Sequence, residues 1–172
     1  MRSPWLLAVV LSLCAASGPA LAASPTAAPP LLTVEGFLAA GVSLGGGQGV
    51  EVMTRSPITA GVRAEFALVE QPAVAAYGEL VIETRNRLAF GLGGGARLRA
   101  DGGRWLVDLG GRALALPYTA VGPVSSVRFC SMHGLRVCYG VEAVAFVTGT
   151  DVPVGHVAAQ VQFVLSMGID AL

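Results

Sequence analysis

The sequence contains no lysine, and only 13% of its 172 residues carry a charge. Its 11 basic residues are all arginines, and 11 acidic residues balance them. A domain that binds nucleic acid usually carries an excess of basic residues clustered on one surface. We therefore predict no nucleic-acid partner.

Long apolar runs are also missing, although 53% of the residues are hydrophobic. A helix that spans a bilayer needs roughly 18 or more consecutive apolar residues, and none is found after the first two dozen positions. Apolar residues instead alternate with smaller or polar ones, and side chains alternate between the two faces of a strand. This pattern predicts strands and not membrane helices.

The N-terminus has the organisation of a secretory signal peptide. Met1 and Arg2 form a short positive region, Trp5–Ala16 is apolar, and Ala20–Ala22 is a small-residue cleavage site. The apolar run is too short for a membrane anchor. We predict a signal peptide over residues 1–22, a flexible periplasmic lead-in rich in proline and alanine over 23–31, and a single domain over 32–172.

Residues with catalytic or metal-binding chemistry are few. After the signal peptide, only His133 and His156 remain, and we interpret them as ordinary turn and loop residues. A Glu79 and Glu83 pair could act as acid and base, but pairing with arginine is the preferred interpretation. The sequence therefore predicts no enzyme, no catalytic residue and no bound metal.

A glycine-rich stretch, Gly91–Ala96, matches the dinucleotide-binding fingerprint letter for letter. That motif functions where a strand is followed by a helix whose N-terminus receives the pyrophosphate. No helix is expected after residue 96, so we predict no cofactor and interpret these glycines as residues that save space.

Cys130 and Cys138 are the cysteines that remain after the signal peptide. Export places them in an oxidising environment, and a hairpin centred on Gly134 would make them directly opposite partners. A zinc site would need further ligands at a suitable spacing. We predict a disulfide between the two cysteines.

Alternation is clearest over residues 58–70, where one face is apolar and the other carries charge. The apolar face contains Ile58, Ala60, Val62, Ala64, Phe66 and Leu68, and the other face contains Thr59, Gly61, Arg63 and Glu65. The same pattern predicts eight strands, over residues 32–44, 58–70, 73–83, 88–99, 104–116, 124–131, 135–147 and 157–169. The sixth is the weakest because Ser125, Ser126 and Arg128 blur its alternation, and residues 117–123 before it are predicted to form a loop.

This arrangement resembles the small eight-stranded outer-membrane barrel proteins of Gram-negative bacteria, over residues 32–172. The resemblance implies an all-β, eight-stranded antiparallel up-and-down transmembrane β-barrel in the outer membrane, often without catalytic activity. The connections after strands one, five and seven are predicted to be long and to lie outside the cell. The chain departs from the class at its last residue, because Leu172 is not aromatic.

Composition decides which face of the barrel points inward. The less hydrophobic face has no lysine and many small residues, which suits a crowded interior better than a surface in water. Its long side chains carry both signs and are expected to neutralise one another. The predicted interior charge network contains Arg63, Glu65, Glu79, Glu83, Arg97, Arg99, Asp108, Arg112 and Glu142.

Three functions remain open from the sequence. The leading hypothesis is a structural or envelope-interaction barrel that contacts outer-membrane lipid and reaches an envelope or extracellular partner through its loops, chiefly Gly45–Pro57. The alternatives are a narrow pore for small solutes and a soluble secreted ligand-binding barrel of the lipocalin type.

Overall fold

A computed structural model describes residues 32–46, 56–69, 74–84, 88–133, 135–150, 152 and 155–170. The predicted signal peptide, the predicted lead-in and most of the connection predicted over Gly45–Pro57 lie outside these residues. Within them, no helix is long and apolar enough to cross a membrane.

The structure is a closed barrel of eight strands, each antiparallel to the next, with the last paired to the first. The strands are β1 (Leu32–Gly46), β2 (Ile58–Val69), β3 (Val74–Thr84), β4 (Leu88–Ala100), β5 (Trp105–Leu116), β6 (Ala120–His133), β7 (Leu135–Phe146) and β8 (Val157–Asp170). The predicted fold class, an all-β antiparallel up-and-down barrel, is confirmed.

Strand β6 is longer than the sequence pattern predicts, because residues 120–123 belong to it and not to a loop. Pro123 has no backbone N–H to donate to a neighbouring strand, but residues 120–123 still pair with β5, and this pairing extends the strand. The regular β6–β7 ladder runs from Val124 to His133. On the other side of Pro123, Val121 pairs with Thr148, and the Val121 N–H donates to the Thr148 carbonyl oxygen at 2.8 Å. The proline thus interrupts one ladder without ending the strand.

The barrel has two distinguishable ends. At the lower end, β1, β3, β5 and β7 begin and β2, β4, β6 and β8 end; at the upper end, β2, β4, β6 and β8 begin and β1, β3, β5 and β7 end. The connection after β5 was predicted to be long, and this is wrong, because only three residues separate β5 from β6. The predicted Asp101–Gly103 turn is present, and all three of its residues have positive φ.

The strands are staggered around the barrel. Starting at Thr33 of β1, the paired positions pass in turn through all the other strands and return to β1 at Ser43. Such a stagger requires the strands to tilt relative to the barrel axis. The positions on this path are Thr33, Glu65, Tyr77, Gly95, Gly110, Val124, Val144, Gln160 and Ser43, all on the inward face.

The two faces of the sheet have opposite chemistry. The outward face carries large hydrophobic side chains that are between 41% (Ile82) and 68% (Leu80) exposed. Among the described residues, the exposed charged side chains are Asp101, Arg104 and Asp170, all at the lower end. The other charged side chains of the strands point into the barrel, as the composition predicts.

The disulfide predicted between Cys130 and Cys138 is confirmed. These residues are register partners in the β6–β7 hairpin, with their Cα atoms 4.0 Å apart and the two sulfurs bonded. Both side chains are buried inside the barrel beside Leu106.

We expect the intact mass of the exported protein, measured without reductant, to be two hydrogens lower than the mass of its reduced form. Because the closed loop is short, removing the bridge should cost stability near the low end of the roughly 2 to 4 kcal/mol typical of disulfides. Two free thiols in protein exported by an oxidising host would contradict the assignment.

Candidate functional site: the charged barrel interior

The barrel interior holds six arginines and six carboxylates among the described residues, so their formal charges cancel. All nine residues of the predicted charge network lie there: Arg99 is half-buried and the other eight are buried. Three further members are Glu35, Arg128 and Arg136. Each strand contributes every second side chain, so partners from opposite walls of the barrel can meet.

The three additional residues differ in how clearly the sequence predicts that they face the interior. Glu35 and Arg136 fall on the inward-facing positions of β1 and β7, so alternation was sufficient to find them. Arg128 lies in β6, where neighbouring serines and a proline hid the pattern. Its inward position became evident only from the register with β5 and β7.

Arg63 and Arg97 form the centre of the network. Arg63 donates from Nη1 to Asp108 Oδ2 at 2.8 Å and from Nη2 to Glu79 Oε2 at 2.5 Å. Arg97 donates from Nε to Asp108 Oδ1 at 2.6 Å and from Nη1 to Glu65 Oε2 at 2.6 Å. These bonds connect strands β2, β3, β4 and β5 across the interior.

Aromatic rings cover the central guanidinium groups. The Cζ atom of Arg63 lies 4.9 Å from the ring centroid of Phe37 and 4.8 Å from that of Tyr77. Arg97 Cζ lies 5.7 Å from the Tyr77 ring. Cations are attracted to the faces of aromatic rings, most strongly where water is excluded. The rings therefore fill space and also help to compensate the buried positive charge.

The upper part of the network involves Arg112. Its Nε donates to Glu79 Oε1 at 2.8 Å, and its Nη2 lies 2.8 Å from Glu142 Oε1. Further up, Glu83 Oε1 accepts a hydrogen bond from Gln160 Nε2 at 3.0 Å. Glu83 thus lies in the interior as predicted, and a glutamine is among its partners there.

The lower part of the network involves Arg128, Arg136 and Arg99. Arg128 donates to Glu35 Oε1 at 2.7 Å and to Asp108 Oδ2 at 2.6 Å. Arg99 donates from Nε to Glu65 Oε1 at 2.6 Å, and Arg136 donates from Nη2 to Glu65 Oε2 at 3.2 Å. Several arginines therefore share one carboxylate at this end.

Apolar side chains fill the interior towards the upper end. Val152 of the β7–β8 connection packs into this cluster, with Tyr118 against it, and Thr119 and Thr150 exchange backbone-to-hydroxyl hydrogen bonds of 3.0 Å. The buried members are Phe37, Ala39, Val81, Ala89, Leu114, Ala120, Val124, Val144, Phe146, Val152 and Val164.

Inward-facing glycines make room for the large interior side chains. A Cβ atom at Gly93 would lie 2.6 Å from Glu79 Oε1, and one at Gly61 would lie 2.7 Å from the Phe37 ring. The dinucleotide-like stretch Gly91–Ala96 lies within β4, which leads into a short turn and then β5. Its glycines therefore have a packing role at positions where the fingerprint would require a helix.

The remaining candidate residues do not form a reactive group in the described part of the chain. No cluster of three or more histidine, cysteine, aspartate or glutamate residues there could hold a metal ion. His156 is half-buried before β8, while the side chain of His133 lies outside the described set. Glu79 and Glu83 lie on the same strand, and Glu79 is bonded to two arginines.

No model of a known protein family matches the chain, and no curated protein matches it in sequence. Among solved structures, it is similar in fold to the crystal structure of Neisserial surface protein A (NspA). The TM-score is 0.54 at 8% sequence identity, and the match covers 85% of this chain and 100% of the NspA chain. The resemblance in fold to small eight-stranded outer-membrane barrels is therefore confirmed.

Two adjacent glycines test whether the interior is as crowded as the structure shows. A Cβ at inward-facing Gly110 would overlap the Gly94 carbonyl oxygen and lie 2.6 Å from the Tyr77 hydroxyl oxygen, whereas one at Gly111 would meet only the Gly122 carbonyl oxygen, at 3.7 Å. We expect Gly110→Ala to reduce the free energy of unfolding by about 1 to 3 kcal/mol. Gly111→Ala should have little effect.

The measurement is a urea titration of both variants in the same lipid vesicles. The two substitutions are chemically identical and one position apart, so each is the control for the other. Equal losses would contradict the crowding of the interior at Gly110, and a larger loss for Gly111→Ala would show that the two faces of β5 have been assigned the wrong way round.

Proposed function

We propose that the protein is an integral outer-membrane β-barrel with a closed, charge-neutral interior, and that its role is structural or interactive, without catalysis. The observation that carries this proposal is the opposite chemistry of the two faces of the sheet. Hydrophobic side chains cover the outside, whereas the charged side chains of the strands lie inside, apart from Asp170 at the end of β8, and most of them form ion pairs there. A transmembrane barrel has this arrangement because lipid contacts its outer surface.

The surface chemistry argues against the soluble alternative. A soluble barrel of the lipocalin type buries its apolar face and exposes its polar face to water. Here Leu80, Leu92 and Phe163 are each more than half exposed, whereas Arg63 and Arg97 are fully buried. In water, an apolar surface of this extent would promote aggregation. In a bilayer it is the surface that lipid chains require.

The packed interior argues against the pore alternative. An eight-stranded barrel is just wide enough for side chains to fill it. Here the charged side chains pair across the centre, and the apolar cluster around Phe146 and Val152 fills the region towards the upper end. A continuous path for solutes would require many of these contacts to break together.

Interaction with other envelope components would then involve the upper end, where the two longest connections lie. The outer-membrane location is supported by the similarity in fold to NspA, itself an outer-membrane barrel. We propose lipid of the outer membrane as the partner of the outward face. An envelope or extracellular partner is proposed for the upper connections.

Two neighbouring positions in β8 test the membrane assignment. Phe163 is 57% exposed on the outward face, and Gln162 is 1% exposed and donates to Thr59 Oγ1 at 3.1 Å. In a Trp105→Phe background, we expect brominated lipid to quench the fluorescence of Phe163→Trp strongly and that of Gln162→Trp much less. The reason is that bromine atoms on acyl chains can reach only the outer surface of the barrel.

A quencher dissolved in water provides a second measurement. This measurement does not require the Gln162→Trp variant. Acrylamide should quench Phe163→Trp weakly in lipid vesicles, because bilayer surrounds that side chain. Strong quenching by acrylamide together with no quenching by brominated lipid would instead support a soluble barrel.

A further expected outcome concerns conductance. Purified protein inserted into planar bilayers should give no steady current under an applied voltage, because ion pairs and an apolar cluster pack across an interior that is just wide enough for side chains. Insertion is verified in parallel by protease protection of the reconstituted protein. Reproducible single-channel steps from such samples would favour the pore hypothesis.

A further inference from the structure

We propose that the Cys130–Cys138 disulfide is formed on the open chain, before the barrel closes, by an oxidant that itself carries a disulfide. The bridge then enters the barrel as part of a preformed β6–β7 hairpin. The inference goes beyond the proposed function. It depends on the burial of the two sulfurs and not on which solvent surrounds the barrel.

The finished barrel encloses both cysteines. Cys130 and Cys138 are each 1% exposed, and Leu106, which packs with them, is fully buried. Below them, the inward-facing side chain of Arg136 is only 6% exposed. Above them, the interior is occupied by the ion pairs of Arg128. Within the part of the chain that the structure describes, neither cysteine therefore presents a surface that a dissolved oxidant could reach.

Disulfide exchange needs more room than this burial leaves. One cysteine thiolate attacks a sulfur of the oxidant, which forms a mixed disulfide and releases a first thiolate. The second cysteine thiolate attacks the cysteine sulfur of the mixed disulfide, which forms the bridge and releases a second thiolate. Two electrons pass from the cysteines to the oxidant, which leaves as two thiols with the two cysteine protons. The mixed disulfide would place the oxidant beside Leu106, in an interior just wide enough for side chains.

The hairpin that contains the cysteines needs no other strand to bring them together. They are eight positions apart, and the β6–β7 ladder already pairs them within that hairpin. By contrast, the hydrogen bond from Arg128 to Glu35 joins residues 93 positions apart and requires the closed barrel. An isolated hairpin is only marginally stable in water. A covalent bridge would retain its register until the other strands assemble.

The bridge supplies register information that the sequence of β6 lacks. Neighbouring serines blur the alternation of this strand, and a slip of one residue would exchange its inward and outward faces. Because Cys130 and Cys138 both point inward, linking them holds Arg128 and Glu142 on the same face of the hairpin. The hairpin therefore reaches the barrel with these charges on the side where their partners lie.

The test measures how fast the two thiols oxidise in the closed barrel. The predicted mature protein, residues 23–172, contains no other cysteine. It is reduced in urea and refolded into uncharged detergent micelles with reductant, which is then removed and replaced by glutathione disulfide. Free thiols are counted by alkylation in urea and intact mass. We expect oxidation to be at least roughly 100-fold slower than in the same chain held open in urea, because exchange requires local opening of the strands.

An exposed pair of thiols provides the matched control. Thr119→Cys/Thr150→Cys, in a Cys130→Ser/Cys138→Ser background, places two thiols at exposed positions whose hydroxyl oxygens are 3.4 Å apart. This pair should oxidise in the folded protein within roughly tenfold of its rate in urea, because an oxidant can reach it. Oxidation of Cys130 and Cys138 in the folded barrel as fast as that of the exposed pair would overturn the proposal.

Reduction of the finished protein measures the same access in reverse. In the oxidised, folded protein, dithiothreitol should leave the Cys130–Cys138 bridge intact for times in which it reduces the bridge of the exposed pair. Equal rates of reduction would also overturn the proposal. This measurement remains decisive if the reduced chain does not fold, and such a failure would itself support formation of the bridge before closure.

Discussion

The pairing of buried charge inside the barrel is the constraint on which the rest of the structure depends. Isolating a guanidinium or carboxylate from water is very costly unless hydrogen-bonded partners of opposite charge compensate it. Arg63 and Arg97 are compensated by carboxylates from four different strands, so the network requires a closed barrel with a particular stagger. A change of register by one residue would move these side chains to the apolar outside.

The limited space inside the barrel is the second constraint, and the positions of the glycines and aromatic rings satisfy it. Arginines are long, and a barrel of eight strands has little room. Gly61, Gly93 and Gly110 lie opposite Phe37, Glu79 and Tyr77, so an absent side chain on one wall accommodates a large one from another. The composition of β4, which otherwise resembles a nucleotide-binding loop, is explained by this packing. A motif read without its structural context would have indicated the wrong function.

The charges are neutral in sum but not uniformly distributed. Within the interior, four arginines and three carboxylates lie below the centre, whereas Glu79, Glu83 and Glu142 lie higher, near Arg112. The two ends therefore differ in chemistry as well as in the length of their connections.

Sequence alone determined the strand pattern and the sorting of side chains, because a period of two residues decides which face each side chain takes. It placed Arg63, Glu79 and Asp108 inside and predicted the Cys130–Cys138 bridge from local hairpin geometry. Tertiary structure decided the rest. It showed that β6 continues through Pro123, because strand pairing on one side outweighs one missing donor, and it brought Arg128 into the network. Which arginine meets which carboxylate depends on the stagger of the closed barrel, a long-range property that no local pattern contains.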